Sequence, residues 1–100
     1  MELLDKLFGS AGKVKIIKLF IFNPESLYDI KTVSKKTKTK LSDASKELSM
    51  LEKIDLIKRK DFKNSDGRKV KGFTLNPAFV YTGEIRDFLL KYHLLLMKKL

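Results

Sequence analysis

Cysteine and tryptophan are absent from this 100-residue chain, histidine occurs once and proline twice. Without cysteine there is neither a disulfide framework nor a thiolate metal site, which is compatible with a reducing compartment. The one histidine, His93, has no partner at metal-ligand spacing and reads as a helix-surface or packing residue, so no metal is expected. No apolar run approaches the roughly 20 residues needed to cross a bilayer, and no membrane partner is expected. Met1 to Phe8 carries Glu2 and Asp5 and lacks the basic leader and apolar stretch of a secretory signal. Low-complexity linkers and internal repeats are missing too. The expectation is a single domain over residues 1–100.

What the chain has is a core and a charge. Hydrophobic residues make up 43%, with seven phenylalanines, enough for one packed core. The formal net charge is +10, and its placement is uneven. Residues 31–71 hold 14 Lys/Arg against 6 Asp/Glu, whereas residues 1–30 hold 4 of each sign. A basic centre of this kind points to a polyanionic partner, with a solvated lysine-rich surface as the plain alternative.

Hydrophobic spacing gives the element order. Leu3, Leu4, Leu7 and Phe8 predict a short first helix, broken at Gly9. Lys13 to Phe22 predicts a second, with Val14, Ile16, Ile17, Leu19, Phe20 and Ile21 apolar, ended by Asn23-Pro24. Leu27 to Ile30 reads as a short extended segment. A short helix at Lys31–Lys36, a turn at Thr37–Lys40 and a longer helix at Leu41–Lys53 follow, with Leu41, Ala44, Leu48 and Leu51 as the inward stripe. Two alternating segments, Leu56–Lys63 and Val70–Leu75, flank Asn64-Ser65-Asp66-Gly67, whose Asp-Gly is a hairpin turn signal. A terminal helix, about Thr82 to Leu100, closes the chain. The fold class expected is mainly α with a small β-hairpin (α+β), a winged helix-turn-helix: helix-turn-helix about 31–54, wing about 56–75, terminal helix about 82–100.

The stretch from Val33 to Arg59 resembles the DNA-binding core of winged helix-turn-helix regulators of the MarR/ArsR type. Their "LxxLExxGLIxR" phrase is matched by Leu48-Ser-Met-Leu51-Glu52-Lys-Ile54-Asp55-Leu56-Ile57-Lys58-Arg59. Phe73-Thr-Leu-Asn-Pro77 resembles the "YxLNP" exit from their wing, and Gly9-Ser10 leading into Val14–Leu19 resembles their entry. The resemblance covers about residues 9–80. This chain departs from it where Lys38 and Asp55 replace glycines and Thr39 replaces an apolar residue, and Leu41 is expected to supply the contact Thr39 does not. The resemblance implies sequence-specific binding of double-stranded DNA, transcriptional regulation and a cytoplasmic, prokaryotic nucleoid-associated setting.

With the stripe facing inward, helical geometry turns Lys40, Ser42, Asp43, Ser45, Lys46 and Ser49 outward as candidate DNA contacts. Thr37 and Thr39 are candidate phosphate donors in the turn, and Lys63, Arg68 and Lys69 are candidates in the wing. The plain alternatives are Asp43 and Glu47 paired with nearby lysines, and a charged wing edge that resists aggregation. From Phe88 to Leu100, nine of thirteen residues are apolar or Tyr, more than a small domain uses on one face. Part of this excess is expected to pack on Leu3, Leu4, Leu7 and Phe8, and the remainder points to a homodimer through the terminal helix, with Leu89, Tyr92, Leu95 and Leu96 at its interface; the plain alternatives are a fully buried helix in a monomer and a further domain covering Leu94 to Leu100. The rival readings are a protein-interaction module and a nucleic-acid-binding appendage of a larger enzyme. Gly9-Ser-Ala-Gly12-Lys13 lacks the glycine spacing and the Ser/Thr of a phosphate loop. Glu84 and Asp87 complement a helix N-terminus and have no catalytic partners. No nucleophile, base and orienting group come together, so neither an enzyme nor a cofactor is expected.

Overall fold

A computed structural model describes the backbone of residues 11–98 and the side chains of residues 12–91. The first helix predicted from Leu3 to Phe8 lies outside the described residues. Helix α1 spans Ala11–Ile21, α2 Ile30–Thr37 and α3 Leu41–Lys53. Strands β1 Ile57–Arg59, β2 Phe62–Lys63, β3 Lys69–Val70 and β4 Phe73–Leu75 follow, and α4 Thr82–Lys98 ends the order.

The core is built on α1, where Ile16, Ile17, Phe20 and Ile21 have no exposed surface. Against it pack Val33 from α2, Ala44, Leu48 and Leu51 from α3, Leu56, Ile57, Phe73 and Leu75 from the wing, and Ile85 and Leu89 from α4. Each fully buried large side chain contributes about 1.5–3 kcal/mol relative to exposure. Tyr28 meets Phe20 edge to face, ring centroids 5.6 Å apart.

One member of the expected stripe is displaced. Leu41 is 49% exposed, while the other three members are at most 1% exposed. Leu41 is the first residue of α3, entered from Lys40 in an extended conformation (φ −65°, ψ 147°), so it sits at the outer end of the helix. Thr39 instead reaches α1: its Cγ2 lies 3.4 Å from where a Cβ on Gly12 would stand. The expected exchange of roles between Leu41 and Thr39 does not occur.

The helix-turn-helix closes without the expected glycine. Lys38 takes the left-handed conformation itself (φ 55°, ψ 40°), and its N–H donates to the Ser34 carbonyl. For a side-chain-bearing residue that region costs roughly 1–2 kcal/mol. Polar side chains brace it. The Ser34 hydroxyl donates to the Thr39 carbonyl (2.6 Å), Thr37 Oγ1 donates to the Val33 carbonyl (2.7 Å), and the two threonine hydroxyls lie 2.9 Å apart. At the other end of α2, Asp29 Oδ1 accepts from the Thr32 N–H at 2.8 Å. That N-cap holds the Asp29 carboxyl below the usual carboxylate range, first through its hydrogen bond to Thr32. Asp55, the other residue standing in place of a glycine, is also left-handed (φ 64°). Asn76 Nδ2 donates to the Asp55 carbonyl at 3.0 Å and ties the end of α3 to the wing exit.

The wing is one hairpin with one register. Ile57 pairs with Leu75 and Arg59 with Phe73 at its base; Phe62 pairs with Val70 and Lys63 with Lys69 toward its tip. The predicted continuous strands are interrupted at Lys60-Asp61 and Lys71-Gly72, although Lys60 N–H still donates to the Gly72 carbonyl at 2.9 Å. At Gly72 strand and neighbour approach too closely for a side chain. Tyr28 bridges to Phe73 with both backbone bonds, at 3.0 and 2.8 Å, so the expected extended segment joins the sheet as a third strand edge. Thr74 is buried as well, so β4 is covered on both faces rather than alternating. At the tip, Asn64 Oδ1 accepts from the N–H groups of Asp66 and Arg68, both at 3.0 Å, and Gly67 turns the chain at φ 79°.

Candidate nucleic-acid interface

Helix α3 has two faces. Ala44, Leu48 and Leu51 fix the inner one, and Lys40, Ser42, Asp43, Ser45, Lys46 and Ser49 are all exposed on the outer one. Lys63, Arg68 and Lys69 are exposed at and beside the wing tip. Thr39 is half-buried at the turn. Thr37 is placed differently from expectation: it is 5% exposed, and its hydroxyl is taken up by Val33 and Thr39 inside the turn. That hydroxyl is therefore not presented as a phosphate donor, because the α-helix runs through Thr37 and turns it toward the core side.

Two cations that helical spacing does not single out complete this face. Arg59 and Lys71 line a cleft between α3 and the wing, together with Ile30, Ser45, Ser49 and Phe73. Arg59 is held on two sides. Its Nε donates to Glu52 Oε2 at 3.0 Å, and its guanidinium stands 5.5 Å from the centre of the Phe73 ring. Arg59 and Glu52 are seven residues apart and come from different elements, so no periodic pattern reveals the pair. The phrase ending in Arg59 is legible in the sequence; the partner of that arginine is not.

Acidic groups near the face differ in character. Asp43 is exposed, whereas Glu47 is half-buried and its Oε2 has no hydrogen-bond partner among the described residues. Burial raises the Glu47 carboxyl above its usual value, the Lys13 charge opposes the rise and Asp43 adds to it. An acid raised in the folded state binds protons more readily there than when unfolded. Its ionised form therefore destabilises the fold above its folded pKa, and the penalty disappears as pH falls below the unfolded value. Glu47→Gln is expected to raise the melting temperature at pH 7 by a few degrees. Melts at descending pH should show that gain shrinking to nothing near pH 4.

The sequence assigns Leu89 to an interface with a second copy. Leu89 is instead 1% exposed, packed with Ile85 into the core of its own chain. This placement corrects the expected interface: α4 follows the α1 surface, and its period brings 85 and 89 inward together. Tyr92, Leu95, Leu96 and His93 lie outside the described side chains. Phe88 and Leu90, at 41% and 46%, are exposed on α4, and Val80 and Tyr81 are exposed just before it. Among the described residues no group of three His, Cys, Asp or Glu is placed to hold a metal, and no helix is long and apolar enough to cross a membrane.

Three helices, a tight turn between the second and third, and a hairpin packed beside the third define a winged helix-turn-helix. A solved structure from Methanosarcina mazei Go1, described as a possible transcriptional regulator, shares the fold: TM-score 0.61 at 16% identity, over 98% of this chain and 79% of that one. No family model matches the chain, and no curated protein does. The likeness is one of fold, and the MarR/ArsR resemblance rests on sequence phrases alone: the entry from Gly9, the stretch Val33–Arg59 and the exit Phe73–Pro77.

Proposed function

We propose that this protein binds double-stranded DNA, in a sequence-specific manner, as a transcriptional regulator. The observation that carries the reading is the cleft that joins α3 to the wing, lined by Ser45, Ser49, Arg59 and Lys71, on a chain whose charge excess is concentrated in that stretch and whose outer α3 residues and wing cations are exposed. In this reading α3 enters the major groove. Ser42, Ser45 and Ser49 allow close approach, Lys46 donates to guanine edges or phosphate, and Asp43 accepts from cytosine N4. Lys40 and Thr39 meet the backbone at the turn, and Lys63, Arg68 and Lys69 meet it from the wing. Lys46→Glu combined with Arg68→Ala is expected to weaken duplex binding about a hundredfold or more, since each of the two charge-assisted contacts contributes roughly 1.5–3 kcal/mol. Fluorescence anisotropy of a labelled duplex measures it; an unchanged titration would remove α3 and the wing from the interface.

The regulator is proposed to act as a homodimer through α4, which presents two recognition helices to two half-sites. Leu89 is excluded from that interface by its burial, and Phe88 and Leu90 take its place on the exposed side. Sedimentation should give a dimer for the wild type and a monomer for Leu90→Lys combined with Leu95→Lys. A monomer in both cases would refute the dimer and leave DNA binding standing.

A further inference from the structure

The cleft between α3 and the wing is chemically unlike the rest of the face. Its walls carry two cations, Arg59 and Lys71, and two hydroxyls, Ser45 and Ser49, over a floor that includes Ile30 and Phe73. Among the described residues no acidic side chain lines it. The hydroxyls come from α3, four residues apart and so one turn apart on the same side. Arg59 comes from β1 and Lys71 from the link between β3 and β4. Arg59 lies opposite Phe73 in the register, and Lys71 lies two residues before Phe73 along the facing arm.

Arg59 is also pre-positioned. Glu52 receives its Nε edge, with Oε2 at 3.0 Å and Oε1 at 3.3 Å, and the Phe73 ring lies beside the guanidinium. The two terminal nitrogens donate to no described residue. A guanidinium fixed along one edge keeps its other donors in a fork suited to a tetrahedral oxyanion, at a low cost in side-chain entropy. As a stabilising contact the half-exposed Arg59–Glu52 pair is worth little. Its geometric effect is to aim the arginine.

We propose that this cleft seats one or two adjacent backbone phosphates of the bound duplex, where the strand passes from the major groove read by α3 to the wing. Arg59 and Lys71 supply the charge, and Ser45 and Ser49 donate from the opposite wall. Ser45 and Ser49 then serve the backbone rather than base edges, leaving Ser42, Asp43 and Lys46 as the base-reading set. The inference rests on the proposed DNA binding and adds a site to it.

The test is a salt series of anisotropy titrations on a random-sequence duplex and on a selected duplex. It uses the wild type, Lys71→Gln, the double variant Arg59→Gln/Lys71→Gln, and Lys18→Gln as a control on α1. Thermal melts confirm that each variant is folded. Removing one phosphate interaction lowers the magnitude of the slope of log K against log salt by about 0.9. The expected result is a decrease of about one for Lys71→Gln, about two for the double variant and none for Lys18→Gln, equal on both duplexes. A steep wild-type slope that neither cleft variant changes overturns the cleft and leaves the DNA reading intact. A decrease confined to the selected duplex overturns the phosphate assignment in favour of base contact. A flat wild-type series overturns the DNA reading itself, and the cleft with it.

Discussion

Raising the salt concentration fourfold, from about 50 to about 200 mM, is expected to weaken duplex binding by several hundred-fold. Lys40, Lys46, Lys63, Arg68 and Lys69 are exposed cations on the α3 and wing face. If each neutralises one phosphate, the slope of log K against log salt is about −4.5, which corresponds to roughly 500-fold over that range. Contributions from Arg59 and Lys71 would steepen it to about −6.3, or several thousand-fold. The origin of the effect is counterion release rather than any individual hydrogen bond. It therefore separates a polyanion-binding surface from a lysine-rich surface that is merely solvated. A protein-interaction module built on the apolar part of α4 would show a shallow series with any duplex. Anisotropy titrations across this salt range suffice to decide.

Gly72→Ala is expected to destabilise the protein by about 2–3 kcal/mol and to disable the wing. An added Cβ would stand 2.5 Å from the Lys60 carbonyl oxygen and 2.5 Å from Phe62 Cδ1. The Phe62 ring can swing aside, but the carbonyl belongs to the facing backbone. Lys60 also donates its N–H to the Gly72 carbonyl, so relief of the clash loosens the bond that joins the base of the hairpin to its tip. For a domain of this size the cost corresponds to a fall in melting temperature of about 10–20 °C. The damage should be local. Amide resonances of Phe62 to Val70 should shift, while those of Ile16 to Ile21 stay in place, because α1 packs on the base of the wing and not on its tip. A melt unchanged from wild type would show that the hairpin tolerates a side chain at its waist. Displacement of the wing cations should also cost DNA affinity even where the core remains folded.

Both outcomes depend on features of different legibility. The Asp66-Gly67 turn and its basic flanks are readable because a two-residue signal and alternation are local properties. The waist at Gly72 is not, since it depends on which backbone lies opposite. The same division runs through the helix-turn-helix. Ala44, Leu48 and Leu51 are readable as an inward stripe from helical period alone. Leu41 belongs to the same period and is exposed, because period does not say where along the helix the core ends.

The turn shows how a departure from a pattern can be absorbed. Lys38 stands where glycine is usual and still adopts the left-handed region. The residues that make this tolerable, Ser34, Thr37 and Thr39, lie within six positions, but their composition alone does not say that their hydroxyls turn inward. Their hydroxyls meet around the turn, and Thr37 becomes an internal brace instead of an outward donor. The terminal helix repeats the lesson with apolar residues. Composition announces an excess of them from Phe88 onward. It does not assign Leu89 to the chain's own core, which follows from α4 lying along α1 beside Ile85.

The order of elements from α1 onward, the inner positions Ala44, Leu48 and Leu51 of α3, the hairpin tip and the concentration of charge between residues 31 and 71 were legible in the sequence, because each rests on spacing or composition within a short stretch. Tertiary structure alone decided which hydroxyls face inward, that Tyr28 joins the sheet, and that Arg59 is held between Glu52 and Phe73 beside Lys71. Those outcomes depend on which element each side chain meets, not on spacing within one element. Their geometry is set by how α3 and the wing pack on a common core.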